Sequence, residues 1–131
     1  MTEQSLRVVI KESDDLLYKA RSTRPQPIRD EKILTAWNGL MISAHARAGL
    51  VLGDSKYTDR AKKAATFILD HLFVDGKLYR SYKDDAARHN AYLGDYALLI
   101  ASLLDIYEAA GDVEWINTFL RFSNNLLILI D

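Results

Sequence analysis

Apolar spacing divides the chain into five helical segments and one stretch with no helical stripe. Over 2–21, Leu6, Val9, Ile10, Leu17 and Ala20 recur at helical spacing, while Lys11, Asp14, Asp15 and Lys19 face away. Pro25 and Pro27 end this segment in a loop, because proline lacks an N–H and crowds the preceding turn. A second helix is predicted over 31–52. It carries no Asp, Glu, Lys or Arg from Ile33 to Ala46. Gly53-Asp54 stops it, and Asp54 or Ser55 can cap the next helix. That third helix, 56–72, is amphipathic. Tyr57, Ala61, Ala64, Ala65, Ile68 and Leu72 make its apolar face, and Asp59, Arg60, Lys62, Lys63 and Asp70 its polar one. Helical periodicity then fails from Phe73 to Asn90. Asp75-Gly76 signals a turn and Leu78 to Tyr82 has strand character, so a short β-hairpin or extended loop is predicted near 76–84. A fourth helix is predicted over 91–110, ended by Gly111. A fifth follows over 113–128, with Asn117, Arg121, Asn124 and Asn125 as its polar positions.

The pattern repeats. GDSKY from Gly53 and GDVEW from Gly111 mark the same helix–turn–helix junction at an offset of 111 − 53 = 58 residues. At that offset Trp37 aligns with Asp95, Leu40 with Leu98, and Ala44 with Ser102. A helix apolar nearly all round must be buried nearly all round, so the second and fourth helices read as inner and the others as outer. The expectation is one all-α domain over 1–131, with helical hairpins forming an arc of an α/α toroid. Its long connections, 22–30 and 73–90, lie beside the starts of the inner helices. Functional residues concentrate on such loops, and free N–H groups at helix starts favour anions and acceptors.

Composition narrows the function. At 49% hydrophobic and 27% charged, the chain is globular. Lys+Arg 17 against Asp+Glu 18 leaves no positive excess to neutralise phosphates, so no nucleic-acid partner is expected. Without cysteine there is no disulfide framework, thiol nucleophile or zinc–thiolate site. This fits a reducing, cytoplasmic setting. The start MTEQSLRVVIKESDD breaks its apolar residues with charge, unlike a signal peptide, and no run reaches bilayer length, so no membrane association is expected. His71 and His89 have no companion at ligand spacing, and no phosphate loop or dinucleotide fingerprint occurs, so neither metal nor cofactor is expected.

Asp95 is the candidate catalytic residue: a carboxylate near the start of an apolar helix, suited to proton transfer or to binding sugar hydroxyls. The competing reading is a first-turn carboxylate stabilised by the helix dipole. Asp30 can complement it, and Tyr96 shares its turn. Trp37 offers an aromatic face for a sugar ring, against plain core packing. Asn38 is an amide on an apolar helix, which demands partners. His45 lies seven residues further on the same face, where a hydrogen-bonded core histidine is the simpler reading. Arg80, with Tyr82 and Lys83, can project from the long connection to bind an anionic substrate, against the simpler reading of a solvated loop.

Two blocks, RPQPIRDEKILTAWNGLMISAHARAG and GKLYRSYKDDAARHNAYLGDYALLIASLLDIYEAAGD, carry a family resemblance. From about Arg24 to Trp115 the chain resembles the C-terminal part of the spermatogenesis-associated, thioredoxin-domain-containing (YyaL-like) proteins. The resemblance implies a six-hairpin (α/α)6 toroid, similar to N-acylglucosamine epimerases and six-hairpin glycosidases. By it the parent would bind or process a carbohydrate-like ligand through Asp95, Asn38, Trp37 and the Arg80 loop. Gly94 departs from the pattern, standing where an acidic residue is expected before the Asp-Tyr pair. Five helices do not complete six hairpins, so catalysis by this chain alone is not expected. The alternative is a non-enzymatic helical-hairpin interaction module. An incomplete arc bares inner-helix surface, so self-association is expected, a homodimer by default, with the apolar run Leu126 to Ile130 as a further contact surface.

Overall fold

A computed structural model describes residues 2–130, without the side chains of Asn125 and residues 127–130. It comprises two compact units, Met1–Asp30 and Glu31–Asp131.

The first unit holds one helix, α1 (Glu3–Ser22). Thr2 caps it, its Oγ1 accepting the Ser5 N–H at 3.2 Å. Glu3 in the first turn and Lys19 and Arg21 in the last oppose the helix dipole. Within this unit no residue of α1 is buried, and Leu17 is 68% exposed.

The second unit is mainly helical, with a small antiparallel sheet, and so departs from the all-α expectation. In chain order it contains β1 (Ile33–Leu34), α2 (Thr35–Leu52), α3 (Ser55–His71), β2 (Phe73–Val74), β3 (Lys77–Lys83), β4 (Ala86–Asn90), α4 (Leu93–Ala110) and α5 (Val113–Ile130). α2 starts four residues later than its apolar pattern indicates. Leu34 is extended, and Ile33 and Leu34 pair with Tyr82 and Ser81 of β3 instead of joining the helix.

β3 is the hub of the sheet. β2 pairs with its first residues through Phe73–Leu78, across the Asp75-Gly76 turn. β4 pairs with it from Tyr79–Asn90 to Lys83–Ala86. The second hairpin turns at Asp84-Asp85, both with positive φ (51° and 55°), a conformation that aspartate tolerates better than most residues. The single short hairpin read from sequence is therefore two hairpins sharing β3.

The repeat is preserved in three dimensions. α2 and α4 are both 18 residues long, with starts and ends 58 apart (93 − 35 and 110 − 52). Gly53 and Gly111 end them with φ of 64° and 74°, the left-handed conformation that glycine adopts without a Cβ penalty. Asp54 caps α3, accepting the Lys56 N–H at 3.0 Å. Gly39 meets the Leu98 backbone, and Arg47 meets Asp105 further along, so α2 and α4 run in the same direction. Around them Ile42, Ala46, Ala61, Ala65, Ile68, Leu99, Leu103, Ile106 and Phe122 form the core, all at most 1% exposed. Leu126 packs partly against it. The rest of the apolar C-terminal run lies outside the described side chains.

Thr35 locks sheet to helix. It is fully buried, and its Oγ1 donates to the Tyr79 carbonyl at 2.7 Å. Thr35→Val keeps the shape but leaves that carbonyl without its donor. A loss of about 1–2 kcal/mol is expected in urea unfolding; an unchanged midpoint would mean the bond contributes nothing.

Candidate functional site

The first turns of α2 and α4 are both tied to β3. Thr35 in α2 holds Tyr79, and the next residue of β3, Arg80, reaches Asp95 in α4. The two inner-helix starts therefore share one end of the unit.

At that end Asp95 is 2% exposed. Its Oδ2 accepts the Tyr92 backbone N–H at 2.9 Å, closing the start of α4, and faces Arg80 Nη1 at 3.5 Å. The Arg80 guanidinium also lies 5.0 Å from the centroid of the Tyr92 ring. Arg80 remains 45% exposed in its side chain, while the carboxylate beneath it is covered. Asp95 thus sits as both a helix cap and a support for the arginine. Chemically the arrangement presents a fixed cation beside an exposed aromatic ring, Tyr92 being 66% exposed.

The other candidates divide. Tyr96 points inward, 5% exposed, and its hydroxyl accepts the Leu78 N–H at 3.1 Å, pinning β3 to α4. Asn38 is half-buried and donates to the Leu34 carbonyl at 2.8 Å, serving its own helix start. Trp37 is 70% exposed, in the same turn as Asn38 and against the expectation of core packing. Asp30 belongs to the first unit. His45 stacks on Tyr57 at 5.9 Å, and His71 joins Phe67 and Tyr82 in a ring cluster. The Tyr82 phenol is pushed up from its usual range by desolvation, then by the Asp85 carboxylate and the hydrogen bond to it at 3.3 Å. Among the described residues no three His, Cys, Asp or Glu side chains could hold a metal ion. No helix there is long and apolar enough to cross a membrane.

Sequence reasoning missed Tyr92 and Thr35. Tyr92 left a signal, an aromatic at the boundary of an apolar helix three residues before an aspartate. Thr35 left none, because its partner is a backbone carbonyl 44 positions away.

No family model matches the chain. Human spermatogenesis-associated protein 20 is 34% identical over 131 aligned residues, covering 92% of this chain and 17% of the human protein. The rat protein of that name is 35% identical over the same coverage. An uncharacterised Caenorhabditis elegans protein is 37% identical over 119 residues, covering 85% of this chain and 16% of its own length. The chain therefore spans about one sixth of the relatives it matches. Over nearly its whole length it is homologous to a segment of spermatogenesis-associated protein 20.

Proposed function

We propose that the second unit is one wall of a toroid-type site that binds a carbohydrate-like ligand bearing an acidic group. The observation that carries this reading is Arg80, held by Asp95 and Tyr92 and still 45% exposed in its side chain. A guanidinium already fixed in place loses little entropy on meeting a carboxylate, and its planar fork suits two-point recognition. Tyr92 and Trp37 supply aromatic faces at the same end for the apolar side of a sugar ring. The parallel packing of α2 and α4 supports an α/α-toroid arrangement in the parent protein. Asp95 acts as the positioning residue for Arg80, and a ring site draws its remaining groups from other hairpins, so this chain binds rather than turns over.

Calorimetric titration with glucuronate and with glucose tests this. Glucuronate is expected to bind more tightly. Arg80→Ala should lower its affinity at least about tenfold, as loss of a charged hydrogen-bonding partner does, with helix content unchanged. Equal behaviour of the two sugars, or an Arg80→Ala protein that binds normally, overturns the reading.

A second reading, a non-enzymatic interaction module, rests on the bare face of α2, where Trp37, Leu40 and Met41 are each more than half exposed.

A further inference from the structure

The ladder between β3 and β4 keeps one register from end to end. Tyr82 pairs with Ala87, Ser81 with Arg88 and Tyr79 with Asn90. Past the end of β4 the Ala91 N–H still reaches the Leu78 carbonyl at 2.9 Å. In this register Arg80 stands opposite His89. Opposed residues on antiparallel strands lie about 5 Å apart at Cα, so long side chains there reach a common ligand atom.

His89 is also conformationally singular. Its φ is 60°, in the left-handed region. The other non-glycine residues with positive φ among those described, Asp75, Asp84 and Asp85, sit at the two hairpin turns, where the chain reverses. His89 lies inside β4 with a paired residue on each side. No turn requires its conformation, and the unbroken register leaves no inserted residue to explain it. Such conformations cost free energy and cluster where a site needs them. The imidazole does no visible structural work. His45 and His71 stack on neighbouring rings, whereas His89 is exposed and, among the described residues, makes no hydrogen bond or ring contact.

We infer that His89 is a second binding residue for the acidic group at Arg80, its imidazole N–H donating to one carboxylate oxygen while the guanidinium engages the other. The inference deepens the ligand reading and rests on it. Asp95 occupies Arg80 Nη1 at 3.5 Å, and a guanidinium has further N–H groups to offer a ligand. Tyr92, whose ring lies 5.0 Å from the guanidinium, follows His89 by three residues, so imidazole, guanidinium and phenol gather at one corner of the sheet. Lys83 is a poorer second donor, being three residues along β3 and about 10 Å away. Two donors on adjacent strands suit the two oxygens of a carboxylate, which a neutral sugar lacks. His89 thereby sets the preference for an acidic ligand.

Calorimetric titration of the full chain with glucuronate and with glucose, comparing the parent with His89→Asn and His89→Gly, tests this. Asparagine tolerates the left-handed backbone on a shorter side chain. His89→Asn should weaken glucuronate binding at least about fivefold, as loss of a hydrogen bond to a charged group does, and leave glucose unmoved. His89→Gly should weaken glucuronate binding as much. Its thermal unfolding midpoint should stay level or rise, because glycine adopts this conformation without strain. Parent affinity for glucuronate in His89→Asn, with Arg80→Ala still defective, overturns the inference and leaves the ligand reading standing. Equal losses for both sugars, or a clearly lower midpoint in His89→Gly, show that His89 serves the fold and also overturn it. A parent chain that does not prefer glucuronate, or an Arg80→Ala protein that binds it normally, overturns both.

Discussion

Phe122→Ala is expected to cost about 3–5 kcal/mol, a large share of the stability of a unit of this size. Phe122 is fully buried, and its ring lies 4.5 Å from that of Phe73. It joins α5 to the start of the sheet at β2. Removing it opens a cavity that neighbouring helices cannot close without disturbing the α4–α5 packing. Urea unfolding should show a lower midpoint with an unchanged slope. A loss below about 1 kcal/mol would mean that α5 contributes little to the fold, since so small a cost is unusual for a buried aromatic.

The second large effect is expected from Gly39→Val. A Cβ at Gly39 would lie 2.9 Å from both the carbonyl carbon and oxygen of Leu98, and 3.1 Å from the Leu99 nitrogen. These are backbone atoms and cannot swing aside, so α2 and α4 must move apart. Overpacking of this kind typically costs about 1–3 kcal/mol, and the rigid neighbour places this site at the upper end or beyond. Gly94 is the control. It is exposed, lies in the first turn of α4, and has nothing within 4 Å of its Cβ position. Gly94→Ala should therefore leave stability unchanged or raise it by up to about 1 kcal/mol, the ordinary helix preference for alanine. Thermal unfolding of the two variants should move in opposite directions. A tolerated valine at Gly39 would contradict the close approach of the inner helices.

Much of this fold was legible along the chain because it rests on local physics. Gly53, Gly111, Asp54 and Asp75-Gly76 act within a few residues of themselves, through left-handed φ, a side-chain cap and a tight turn. The five helices and the 58-residue repeat followed from them and from apolar spacing. The strands β1 and β4 were not legible. Ile33-Leu34 continues an apolar helical pattern, and Ala86 to Asn90 has no β-branched residue; both are strands because β3 offers them partners.

The candidate site divides the same way. Sequence singled out Asp95, as a carboxylate on an apolar helix, and Arg80, as a cation on a long connection. Only folding placed them 3.5 Å apart and buried one beneath the other. It likewise joined Arg47 to Asp105 at 2.9 Å, a pair exactly one repeat apart. The Asp105 carboxylate raises the Arg47 pKa, first through that hydrogen bond and then through its charge. The orientation of α2 was beyond sequence altogether. An amphipathic helix such as α3 declares its buried face, because polar residues mark the other. α2 is apolar all round, so its pattern states that it is an inner helix and says nothing about which side turns inward. Packing against α3 and α4 made that choice, burying Thr35, Gly39, Ile42, Ala46 and Gly49 and leaving Trp37 and Met41 bare.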